Sequence, residues 1–195
     1  MTEKPLRPGD VALLEPQNLQ HLFAALVKRG YQVIGPTVRE GAIVYDALAS
    51  PADLPTGWTD EQNGGAYRLK RRSDGALFGY NVGPHSWKCF LHPPVMQLWR
   101  ASRNGNGFHA ADEKKEAPRF AFIAVRACDL NAIAIQDRVF TGGPYVDPGY
   151  QARRENAFIV AVNCGQAGGA CFCASMNTGP RAASGYDLAL TEVLE

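Results

Sequence analysis

"RFAFIAVRACDLNAIAIQDRVF", residues 119–140, changes its hydrophobic period midway, and that change decides the fold. Arg119 to Val125 is an almost continuous apolar run, the pattern of a strand buried on both faces. From Leu130 the spacing becomes helical, through Ile133 and Ala134 to the Asp137–Phe140 region, with Asp129 placed to cap the helix. Farther on, Asp147 followed by Pro148 marks another helix start, and "AFIVAVNC" (157–164) is a second buried-strand run. Two apolar strands joined through helices make a βαβ unit, whose right-handed crossover sets the strands parallel. Cys128 then lies just past the first strand and Cys164 just past the second. Both thiols reach the carboxyl edge of the sheet, where open α/β sheets form their ligand sites. The glycine-rich loop after Cys164 carries Cys171 and Cys173, separated only by Phe172, back to the same edge.

The first half reads differently. Leu19, Leu22, Phe23, Leu26 and Val27 share one face of a helix that Asn18 caps and Gly30 ends. "YQVIGPTV" and "GAIVYDAL" follow as short β-rich runs, and Asp74-Gly75, between two alternating segments, signals a hairpin. A helix is expected to resume after Pro93-Pro94, and the polar stretch after it to be an exposed loop. The expected fold is one α/β domain over 1–195, with a mixed sheet. It comprises an α+β part with an antiparallel hairpin (1–100), a flexible loop (101–117) and the parallel βαβ part with the cysteines (118–195).

Composition limits the function. With 20 Lys and Arg against 19 Asp and Glu, the net charge of +1 argues against a nucleic-acid footprint, and the run Leu69-Lys70-Arg71-Arg72 reads as solvated charge. A 46% hydrophobic content in short runs suggests neither disorder nor a membrane span. The first residues hold no apolar signal core, so a cytoplasmic protein is expected, and five cysteines, an odd number, speak against structural disulfides. His85 and His92 read as packed or surface imidazoles rather than ligands.

Four thiolates together need a compensating cation, and zinc or an iron–sulfur cluster suits soft donors. Structural zinc sites commonly use paired C-x-x-C knuckles, whereas one C-x-C with two distant cysteines favours the cluster. Buried or redox-active thiols remain the third reading. Arg126 stands where it can offset cluster charge, and Asn163, Ser175, Asn177 and Thr178 where they can donate hydrogen bonds or simply form turns. Two other functions stay open: a zinc-stabilised interaction module, and a flavin or deazaflavin oxidoreductase domain. The latter lacks a G-x-G-x-x-G after a strand. With no evident nucleophile and base either, electron transfer without turnover of a substrate is expected.

The segments 125–140, 145–164 and "CFCASMNTGP" (171–180) closely resemble the β-subunit family of cytosolic sulfhydrogenases, which is related to a component of anaerobic sulfite reductase. "GYQVIGPTVREGAIVY" (30–45), "YRL" (67–69), "FGYNVGPHSWK" (78–88) and "FLHPP" (90–94) are similar to the same family's N-terminal half. The resemblance implies an iron–sulfur subunit that relays electrons between a flavin-containing partner and a catalytic hydrogenase or sulfite reductase subunit. It implies one 4Fe-4S cluster on Cys128, Cys164, Cys171 and Cys173, with Cys89 a bystander. Family members continue into a ferredoxin-like region with further cysteine clusters, which is not found in this sequence, so a fragment or a short form is expected.

Overall fold

The computed structural model describes residues 7–105, 107–111 and 116–194. After a 3₁₀ turn, α1 (Leu19–Lys28) leads into β1 (Gln32–Arg39) and β2 (Ala42–Ala47), which pair antiparallel. Their two-residue turn, Glu40-Gly41, has positive φ at both positions, as a tight hairpin with right-handed twist requires. β3 (Trp58–Asn63) and β4 (Ala66–Arg71) form a separate two-stranded sheet, and the short α2 (Lys88–Leu91) follows. β5 (Arg100–Asn104) and β6 (Gly107–Ala111) form another. β7 (Phe120–Val125), α3 (Ala127–Phe140), α4 (Pro148–Glu155) and β8 (Phe158–Val162) complete the expected βαβ unit, with β9 (Leu188–Leu190) last. The main sheet runs β2-β1-β7-β8-β9, antiparallel at β2/β1 and parallel thereafter.

The fold class is the expected mixed α/β, but several local expectations are corrected. The hairpin of the first half turns at Gly64-Gly65, where Asn63 pairs with Ala66, while Asp74-Gly75 makes a later turn. No helix follows Pro93-Pro94; the helical turn precedes the prolines, and residues 93–99 run irregularly into β5. The polar stretch read as a loop pairs instead as β5–β6, its remaining part (106 and 112–115) lying outside the described residues.

Alternation along the strands builds a core on each side of the sheet. Ala121, Ile123, Val160 and Val162 pack with Leu19, Phe23 and Leu26 of α1 on one face. Phe122, Ile159 and Ala161 pack with Leu130 and Ile133 of α3 and Tyr150 of α4 on the other. Val27 of α1, assigned to its apolar face, is exposed. Asp147 caps α4 as expected, accepting from the Tyr150 N–H at 2.8 Å. Asp129 is not the N-cap of α3 but its third residue, and it accepts from the N–H of the true N-cap, Arg126, at 3.2 Å.

The alternation slips once, at Ala124. The β7–β8 register shifts between Ile123 and Val125, and Ala124 adopts φ +65°, so Ile123 and Ala124 face the same core. This bulge re-aims the chain as it leaves the sheet for Arg126 and Cys128.

Candidate functional site

The four cysteines predicted as a set all lie on segments leaving the carboxyl edge of the parallel strands. Cys128 is the second residue of α3, Cys164 follows β8 by two residues, and Cys171 and Cys173 lie on the loop that returns toward α3. The loop is tied at its base, where the Cys164 N–H donates to Pro180 O at 3.1 Å. Farther along, Thr178 N–H donates to Cys173 O at 2.9 Å, and Asn131 of α3 reaches Thr178 O at 3.5 Å. Gly179 is wedged between Ala127 and Cys173, so a Cβ there would stand 3.4 Å from each of their Cβ atoms. Cys173 is thereby set beside the start of α3.

The surroundings of Cys128 oppose its ionisation. Burial pushes the Cys128 thiol up to about 11, although the residue keeps solvent contact. The neighbouring Asp129 carboxylate adds to the shift, and negative charge on Cys173 and Cys171 adds further. Asp129 is itself raised, chiefly by burial, against the stabilising N–H of Arg126 and hydroxyl of Tyr45. The Cys164 thiol donates to Gln166 O at 3.1 Å and lines a cleft of about 250 Å³ with Arg72, Phe78, Asn163, Gln166 and Glu192. Cys89 stands apart on α2, its thiol donating to Ser86 O at 3.0 Å.

The chemistry of this donor set, soft and anionic when ionised, suits an iron–sulfur cluster or zinc. In the arrangement described, the thiols share an edge without closing on a centre: among the described residues, no three Cys, His, Asp or Glu side chains are close enough to hold a metal ion. His92, set aside as a ligand, stacks on Phe140 with centroids 4.6 Å apart and faces Asp147.

A frame of polar residues carries the edge. Arg126 is only 7% exposed. Its guanidinium donates to Phe78 O (2.7 Å), Tyr80 O (3.2 Å) and Asn163 O (3.5 Å), joining the roots of the segments that lead to Asn81, Cys164 and Cys128. Asn163 is fully engaged, donating to Thr191 Oγ1 and accepting from Ala182 N–H, each at 2.8 Å. Ser175 is exposed on the loop, and Asn177 takes a left-handed φ of +54° in the loop's turn.

Sequence reading missed the wall against which the loop is set. Arg72, read as solvated charge, pairs with Asp74 and donates to Gln166 Oε1, while Gln166 Nε2 donates to Thr59 Oγ1 at 2.9 Å. Asp60 of β3, 9% exposed, accepts from both the backbone N–H and the side chain of Asn81. The Cys171 thiol is 3.7 Å from Asn81 Oδ1. The one available signal was Gly168-Gly169, since paired glycines mark close backbone approach as well as turns.

A mixed α/β domain with a thiol-bearing carboxyl edge is the class of protein that fold and site define. Comparison with known proteins adds a partial relationship: 75 residues are 40% identical to the sulfhydrogenase 2 subunit beta of Pyrococcus furiosus. The match takes in 38% of this chain and 22% of that protein, so the aligned part spans about a fifth of the relative's length. No protein-family model matches the chain. No solved structure matches it either. Among the described residues no helix is long and apolar enough to cross a membrane.

Proposed function

We propose that this chain is an electron-transfer subunit, or part of one, in a hydrogenase-type complex, and that Cys128, Cys164, Cys171 and Cys173 hold one 4Fe-4S cluster. The observation that carries the reading is a single sheet edge from which all four thiol-bearing segments leave: Cys128 at the start of α3, Cys164 just past β8, and Cys171 and Cys173 on the loop tied back toward α3. The partial identity to a sulfhydrogenase β subunit supports it. When bound, the cluster supplies one-electron redox chemistry at a potential that its surroundings tune.

The chain's own residues position and insulate. Arg126 anchors the roots of the site and places a fixed positive charge beneath it. The Gly168 N–H, 3.2 Å from Cys171 Sγ, is a hydrogen bond of the kind that withdraws charge from a ligating sulfur. Holding the cluster requires the 164–173 loop to draw inward, which couples binding to local order. The implied partners are a flavin-containing donor or acceptor and the catalytic component of the complex, in a cytoplasmic setting.

Anaerobic reconstitution tests the assignment. The chain should take up about four iron and four sulfide, with visible absorption that dithionite bleaches. Serine in place of Cys128, Cys164, Cys171 or Cys173 should abolish or alter that spectrum, and Cys89→Ser should not. Stoichiometric zinc without sulfide, in protein made anaerobically with ample iron, would replace this reading with a zinc-stabilised interaction module.

A further inference from the structure

We infer that Asn81 is a positioning residue for Cys171, and that the buried carboxylate of Asp60 sets which end of the Asn81 amide the sulfur meets. The inference rests on the reading of Cys171 as a site thiol. It stands on contacts between the β3–β4 sheet, the 76–83 segment and the cysteine loop.

The two ends of a side-chain amide differ in chemistry but hardly in shape, so their assignment depends on their neighbours. An ionised carboxylate only accepts hydrogen bonds. Asp60 Oδ1 takes the backbone N–H of Asn81 and lies 3.3 Å from Asn81 Nδ2, which commits the NH₂ end to Asp60. The carbonyl end is left for Cys171, whose Sγ is 3.7 Å from Oδ1. Asp60 Oδ2 is buried without a protein hydrogen-bond partner, a costly arrangement for a carboxylate and one that makes Asn81 its main restraint.

The segment that carries Asn81 is itself fixed. Tyr67 of β4 donates its hydroxyl to Asn81 O at 2.9 Å, and Arg126 holds the carbonyl of the preceding residue, Tyr80. On the loop side, Gly168 lies so close that a Cβ would come within 2.9 Å of Asn81 Nδ2, while its N–H donates to Cys171 Sγ. Cys171 is thus held between a backbone donor and a side-chain acceptor. Cys173, two residues on, has its ties to Thr178, Gly179 and α3 instead.

In this arrangement Asn81, held by Asp60, covers one side of the Cys171 sulfur and fixes the direction from which it is approached. Asn81→Ala removes the acceptor. Asp60→Asn keeps the shape but releases the amide to turn its NH₂ end toward the sulfur. Both changes should speed alkylation of Cys171.

The test uses the metal-free 195-residue chain, iodoacetamide as probe and peptide-resolved mass spectrometry, with Cys173 as the internal reference. Both variants should raise the Cys171/Cys173 rate ratio about two- to tenfold, the range expected for one modest hydrogen bond. Thr59→Ala, which cuts the Gln166 tie and leaves Asn81 in place, should leave the ratio unchanged. An unchanged ratio in a folded Asp60→Asn or Asn81→Ala protein overturns the inference, as does an equal rise in Thr59→Ala, which would mean general loosening of the loop. No cluster is needed for this measurement, so failure of the cluster assignment would be seen separately, in the iron and sulfide content.

Discussion

Gly169 lies against the carbonyl oxygen of Gln62, with no room between them for a methyl group. The neighbour is strand backbone and has no flexible end to swing away. Gly169→Ala should push the cysteine loop off the β3–β4 sheet, cost about 1–3 kcal/mol in urea unfolding, and lower the iron retained after reconstitution. Gly165, with nothing within 4 Å of a Cβ, is the control, and Gly165→Ala should leave both measurements close to wild type.

Arg126 satisfies carbonyl groups from two other segments while buried, so its removal strands acceptors that water does not reach. Arg126→Met should destabilise the fold by about 2–4 kcal/mol, measured by urea denaturation. Arg126→Lys should recover only part of this, because one ammonium cannot reproduce the guanidinium's spread of donors.

Ala124 holds a left-handed backbone without being glycine, inside a buried strand. Ala124→Gly relieves a strain of about 1–2 kcal/mol and gives back about 0.5–1 kcal/mol in chain entropy, so stability should hold or rise slightly. Ala124→Val should lose at least about 2 kcal/mol, since a β-branched residue resists this conformation and also overfills the core. Thermal unfolding of the two variants separates the outcomes.

The Cys128 thiol titrates near 11 in the folded chain against an ordinary value of 9.0. Between those values the unfolded chain has lost this proton and the folded chain has kept it. The contribution of Cys128 to stability is therefore fully present below pH 9 and is lost as pH rises toward 11. Cys128→Ser should flatten the fall in the urea midpoint across that window. At about pH 8, iodoacetamide should modify Cys128 at least about tenfold faster in urea-unfolded than in folded metal-free protein, because the thiolate is the reactive form.

The βαβ unit could be read from residue types because its signals are local: apolar runs of strand length, a helical period between them, and Asp147-Pro148 at a helix start. Parallel pairing then placed Cys128 and Cys164 at one edge without any knowledge of tertiary contacts. Ala124 could not be found this way, since nothing in "AFIAV" distinguishes a bulged alanine from a regular one. Asp74-Gly75 misled because Gly64-Gly65 offers an equally good turn, and the strands chose the register that pairs Trp58 with Arg71. Arg72, Asp60 and Asn81 acquire their roles only when a hairpin distant in sequence folds against the cysteine loop, and spacing along the chain carries no trace of that meeting.

Among the described residues the β5–β6 hairpin pairs with no other strand, and its exposed Arg103 offers trypsin a cleavage point between the two halves of the chain. A cut there separates β1 and β2 from β7, β8 and β9 in covalent terms only. Gln32, Val33 and Ile34 remain hydrogen-bonded alongside Phe120, Ala121 and Phe122, and both cores span the junction. The nicked protein should therefore elute from a sizing column as one particle and fall into two fragments only in denaturant. The same property makes the chain a candidate for split-protein reassembly: fragments expressed separately on either side of Arg103 would rebuild a single sheet, and with it the thiol edge.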